Sequence, residues 1–159
     1  MKSLIKITLL FALIFTAANF STAVAQSVDI KTFNIIGTDN MKFDMVKIEA
    51  IAGEEIRIVY TSKSNFPKTA MAHNVVVMTK DTDVQAFANA SARARDNEYI
   101  APGFEDSIVA ATALAGGGET VEVTFVVPSE PGDYVYICSF PGHYGAGMKG
   151  VITVTAPKS

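Results

Sequence analysis

The chain reads as an all-β protein, a sandwich of two packed antiparallel sheets with one short helical flap. Short segments of alternating apolar and polar residues recur along most of its length, and compact turn signals separate them. A single stretch departs from that period and follows a helical one. Two-layer packing is how amphipathic strands of this kind bury their apolar faces.

The first strands are expected at Ile30 to Ile36, Val46 to Ile51, Glu55 to Thr61 and Asn74 to Met78. In the third, Ile56, Ile58 and Tyr60 fall on one face because side chains alternate along an extended chain. Ala52-Gly53-Glu54 supplies the turn between the second and third strands. Between Thr82 and Asn97 the apolar residues Val84, Phe87, Ala88 and Ala94 take a helical period, and Thr82 with Gln85 has the form of a capping box. Arg93 and Arg95 form its polar face, and Pro102-Gly103 ends it. Strands resume at Ser107 to Thr112, Thr120 to Val127, Asp133 to Cys138 and Gly150 to Val154, punctuated by Gly116-Gly117-Gly118 and Pro131-Gly132-Asp133. In the strand that ends at Cys138, Val135 and Ile137 are expected to pack inward. No internal repeat, low-complexity tract or interdomain linker interrupts the series.

The N-terminus carries Lys2 and Lys6, an apolar run from Ile7 to Ala18 broken by Thr8 and Thr16, and Ala23-Val24-Ala25 before Gln26. That order of charge, apolar run and small residues is the form of a secretory signal peptide over residues 1–25. The run is shorter than the roughly 20 residues that span a bilayer, so no membrane span is expected in the mature chain. Residues 26–159 then form one domain, expected in the periplasm and as a monomer. Removing Lys2 and Lys6 from the 13 basic residues leaves the 16 acidic ones an excess of five. A nucleic-acid partner, which requires a basic face, is thereby excluded.

The chemistry concentrates in two segments. Cys138-Ser139-Phe140-Pro141-Gly142-His143 is followed by Tyr144-Gly145-Ala146-Gly147-Met148, so a thiolate, an imidazole and a thioether stand within eleven residues. His73 lies upstream in Met71-Ala72-His73-Asn74, where an apolar strand begins. Singly, each has an ordinary reading: a histidine satisfied in the core, a buried cysteine behaving as a small hydrophobe, a methionine filling space. Jointly they account for both histidines and the one cysteine of the chain. Two imidazoles, a thiolate and a weak thioether suit one copper ion of the type-1 kind, which shuttles between Cu(I) and Cu(II). Ligation also explains an unpaired cysteine in an exported protein, where a free thiol would otherwise oxidise.

These segments, with Phe66-Pro67-Lys68 before Met71 and Met148-Lys149-Gly150 after the loop, resemble the cupredoxins of the azurin and auracyanin kind. The likeness runs from Ser27-Val28-Asp29-Ile30 to Val154 and implies a Greek-key β-sandwich whose flap is helical. It implies metal ligands His73, Cys138, His143 and Met148, and no enzymatic activity. It also implies N–H groups of Asn74 and Phe140 directed at the Cys138 sulfur. Asn74 beside His73 is placed to tie the two ligand loops together around Ser139. Three departures stand out. Four residues separate His143 from Met148, as in auracyanins and plastocyanins, where azurins have three. Ala72 replaces the glycine whose carbonyl approaches copper in azurins, and Val75 replaces a buried Trp. The azurin disulfide cannot form with one cysteine.

Three functions compete. The first is an exported electron carrier, docking briefly with redox proteins such as a cytochrome or a copper reductase. Its docking surface would be an uncharged patch of Met41, Met71, Phe140, Pro141 and Ala146 around an exposed edge of His143. The second is a copper storage or delivery protein, which favours exposed Met clusters or Cys pairs that this chain lacks. The third is a copper enzyme, which needs histidines beyond the two present.

Overall fold

The computed structural model describes residues 29–158, so the segment expected to be a signal peptide, residues 1–25, lies outside the described residues. Among the described residues nine strands run β1 (Lys31–Thr38), β2 (Lys42–Phe43), β3 (Lys47–Ile51), β4 (Glu55–Ser62), β5 (Val76–Met78), β6 (Ile108–Ala111), β7 (Thr120–Val126), β8 (Gly132–Ile137) and β9 (Lys149–Thr155). One sheet has the order β2-β1-β4-β7 and the other β3-β9-β8-β5-β6. The two-residue β2 is too short to show an alternation in sequence, and each of the eight expected strands is present with ends shifted by at most two residues.

The sheets are mixed rather than purely antiparallel. β1 lies parallel to β4, with Ile35 opposite Tyr60, and β3 lies parallel to β9, with Ile48 opposite Ile152. Between β1 and β4 the chain crosses to the other sheet to form β3, so β4 returns beside β1 in the same direction. Apolar alternation is the same in either orientation, which is why the pattern alone implied antiparallel pairing.

The core between the sheets follows that alternation. Ile56, Ile58 and Tyr60 of β4, Ile48 and Ala50 of β3, and Ile152 and Val154 of β9 are buried on one face. Each such aliphatic side chain contributes on the order of 1.5–3 kcal/mol when removed from water. Gly150 on β9 makes room for the Tyr136 ring, whose hydroxyl donates to the Met45 carbonyl at 2.5 Å.

A second cluster explains why β5 is apolar at every position. Val77 faces the inter-sheet core, while Val76 and Met78 face Phe87 of helix α1 (Val84–Ser91) and Ala101 on the flap side. A strand covered on both faces has no polar side to alternate with. The parity of β8 is likewise opposite to expectation. Tyr134, Tyr136 and Cys138 point into the inter-sheet core, whereas Val135 and Ile137 pack against the flap cluster.

The flap is shorter than the expected 82–97, with α1 giving way to a 3₁₀ turn at Arg95–Asn97. Its cap is Asp83, whose carboxylate accepts the Ala86 N–H at 2.9 Å, in place of the expected Thr82 and Gln85 pair. Thr82 is held by the Thr79 hydroxyl at 2.8 Å, which leaves the next residue to cap the helix. Arg93 and Arg95 are exposed, as a polar face requires.

Candidate metal centre

The four donors converge at one end of the sandwich because three loops are tied there by backbone hydrogen bonds. His73 precedes β5 and exchanges two bonds with Ala115, N to O at 2.9 Å and back at 2.7 Å. Cys138 follows β8, and its N–H donates to the Met148 carbonyl at 3.1 Å. Between them the chain coils tightly. His143 N–H donates to Phe140 O at 3.1 Å, Ala146 to Gly142 at 2.9 Å and Met148 to His143 at 2.9 Å. Gly142 at φ +83° and Gly147 at φ +93° take left-handed conformations that a side chain disfavours.

The ligand loops are locked together by Asn74 and Ser139. Ser139 N–H donates to Asn74 Oδ1 at 2.9 Å, and Asn74 Nδ2 donates to Ser139 Oγ at 2.9 Å, both side chains being buried. The neighbouring backbone N–H groups of Asn74 and Phe140 favour the thiolate form of Cys138.

The three donor atoms form a compact triangle. His73 Nδ1 is 3.1 Å from His143 Nδ1 and 4.0 Å from Cys138 Sγ, and His143 Nδ1 is 3.4 Å from that sulfur. The centre of a triangle with these edges stands about 2.1 Å from each corner, within the range of a metal–nitrogen bond and slightly inside a metal–sulfur one. Met148 is fully buried beside them in the core, its methyl 2.9 Å from where a side chain on Gly37 would begin.

The protonation states suit a soft cation. Burial pushes the Cys138 thiol up to about 12, against the lowering effect of the two N–H donors. Burial, helped by the neighbouring His73, brings His143 down to about 4, and burial also lowers His73. Both imidazoles are therefore neutral at pH 7, which leaves their lone pairs available to a cation placed between them. Tyr60 stacks edge-on to His73 with ring centroids 6.2 Å apart. Among the described residues, no hydrogen-bond partner meets the buried His73 Nε2, Tyr60 hydroxyl, Ser62 hydroxyl or one Asp39 oxygen.

Around the loop, Met41, Met71, Phe140 and Ala146 are half-buried and Pro141 is exposed. His143 keeps only 2 % of its surface, far less than the exposed edge expected of it. Its ring is covered by Phe140, with centroids 4.8 Å apart, and by His73. Ala72 is fully buried between Met71 and His73 in the chain. Two further neighbours carry no sequence signal of their own. The Lys42 ammonium donates to the Ala146 carbonyl, so the rim carries a charge, and Phe66 stands 50 % exposed nearby in the chain before Met71. Lys42 was discernible only as the neighbour of Met41.

Comparison with known proteins agrees with this geometry. Residues 30–155 match the model of copper binding proteins of the plastocyanin/azurin family. Auracyanin-B of Chloroflexus aurantiacus is 35 % identical over 82 % of this chain, which spans about half (53 %) of that protein's length. Azurin of Alcaligenes faecalis is 37 % identical over 75 % of this chain and 94 % of its own. Among solved structures, auracyanin B superposes with a TM-score of 0.69 at 32 % identity, covering 84 % of this chain and 95 % of that one. An azurin from Methylomonas also gives 0.69, at 31 % identity over 79 % and 98 % of the two chains. The chain belongs to the plastocyanin/azurin family of copper-binding proteins, and His73, Cys138, His143 and Met148 form its type-1 copper site.

Proposed function

We propose that this member of the plastocyanin/azurin family is an exported, monomeric one-electron carrier of the periplasm that docks transiently with larger redox proteins. The observation that carries this reading is the closed triangle of His73, Cys138 and His143, whose donor atoms all lie within 4.8 Å of one another and whose side chains are all buried. Bound copper supplies one-electron chemistry between Cu(I) and Cu(II). The residues contribute rigidity: Asn74 and Ser139 hold the two ligand loops at a fixed separation, and the Gly142–Met148 turns hold the third. Donors so fixed give neither oxidation state its own preferred geometry, so little rearrangement accompanies the electron. A delivery protein would instead present exposed donors from which the ion departs.

Electrons enter and leave, in this reading, through the thin edge of His143 beneath Met41, Met71, Phe140, Pro141 and Ala146. The segment over residues 1–25 directs export and is removed. The test is electron self-exchange, since two copies would meet through the same patch. In Met71→Lys both molecules carry a new charge that must be desolvated at contact, costing roughly 1–3 kcal/mol and slowing exchange about ten- to a hundredfold. An unchanged rate with an unchanged visible spectrum would place electron entry on another face.

A further inference from the structure

The flap reaches the copper site through two residues in an unusual backbone state. Glu98 at φ 49° and Tyr99 at φ 59° are consecutive non-glycine residues in the left-handed region, where a side chain crowds the backbone at a cost in free energy. Such a conformation persists only where its surroundings impose it. Here Tyr99 N–H donates to Ala94 O at 2.9 Å, Asn97 Nδ2 donates to Ile100 O at 2.7 Å, and the buried Ser91 hydroxyl accepts the Ala101 N–H at 3.2 Å.

The two side chains so placed go to the two ligand loops. Glu98 accepts the N–H of Leu114 at 3.3 Å, and the next residue, Ala115, is the backbone partner of His73. The Tyr99 ring meets Phe140 edge-on, with centroids 4.8 Å apart and planes at 63°. The Phe140 ring thus touches both Tyr99 and His143, while its backbone N–H, two residues from Cys138, favours the thiolate there.

We propose that Tyr99 is a positioning residue of the copper site: it presses Phe140 into the place where its N–H meets the Cys138 sulfur, and so raises the reduction potential. An N–H directed at the thiolate withdraws charge from it, which favours Cu(I) over Cu(II). If the ring is lost, Phe140 gains freedom, the N–H spends less time on the sulfur, and the potential falls. The inference rests on the copper reading above, but tests a residue that touches no ligand atom.

The experiment compares Tyr99→Gly and Tyr99→Phe with the wild type, all copper-loaded. Glycine removes the ring and also suits the left-handed backbone, so it relieves strain and a lower potential cannot be put down to general destabilisation. The expected result for Tyr99→Gly is a lower potential together with amide hydrogen exchange at Phe140, measured in the Cu(I) form, that is faster by about two- to tenfold. That range is what the loss of one aromatic pair produces. Amides of β3 and β9 keep their wild-type protection, and Tyr99→Phe retains both wild-type values. A wild-type potential and wild-type Phe140 protection in Tyr99→Gly overturn the proposal. So does equal acceleration of every amide, which marks a merely structural role. Failure of the copper reading would show itself separately, as a wild-type protein without the intense thiolate band.

Discussion

Replacing Asn74 by alanine removes the tie between the His73 and Cys138 loops, and its cost can be worked from the partners left behind. The Ser139 N–H loses its acceptor at 2.9 Å and the Ser139 hydroxyl loses its donor at 2.9 Å, in a place where both residues are at most 1 % exposed. Each buried group left unpaired costs about 1–3 kcal/mol, so Asn74→Ala should destabilise the metal-free protein by about 3 kcal/mol. Ser139→Ala strands only the Asn74 amide and should cost about 1–2 kcal/mol. Once Asn74 is gone the Ser139 hydroxyl has nothing left to lose, so the double variant should be no less stable than Asn74→Ala alone. Urea unfolding of the four metal-free proteins measures the coupling, provided the denaturant slopes agree. Additive losses, within about 0.5 kcal/mol, would refute the claim that these side chains act as one clamp.

Copper binding at pH 7 should release one proton per ion, read in a weakly buffered titration, because the Cys138 thiol is pushed up to about 12 and His143 lies near 4. The release should rise above one as the pH falls to 4, where His143 is about half protonated and copper must displace that proton, and approach two only below it. Release near zero at pH 7 would mean that the thiol is not a ligand. Met148→Leu should keep copper bound and raise the reduction potential measured by voltammetry, since a lost weak donor penalises Cu(II) more than Cu(I). The accompanying change in affinity for Cu(I) should be small, and an unchanged potential would remove Met148 from the ligand set.

The donor set was legible in the sequence because scarcity makes it so: with two histidines and one cysteine, there is one way to assemble an N₂S site. The strands were legible for a related reason, since each alternates against a single core. What could not be read depends on contacts between distant segments. The direction of β1 against β4 is set by a crossover, and the inward face of β8 by which layer Tyr134 and Tyr136 join. The Tyr99 contact with Phe140 depends on two left-handed residues, Glu98 and Tyr99, that carry none of the glycine or asparagine that marks such positions. The Lys42 contact joins residues 104 apart in the chain, and no local pattern announces it.

Cys138, with His73, His143 and Met148, holds copper as a thiolate-bound type-1 site. One equivalent of Cu(II) added to the purified protein, followed by its visible spectrum, tests this directly when Cys138→Ser is measured alongside. The wild type should show an intense thiolate-to-copper charge-transfer band, and Cys138→Ser should lose it because no other cysteine can supply the thiolate. A wild-type protein that binds copper yet stays pale, or a serine variant that keeps the same band, would contradict the account.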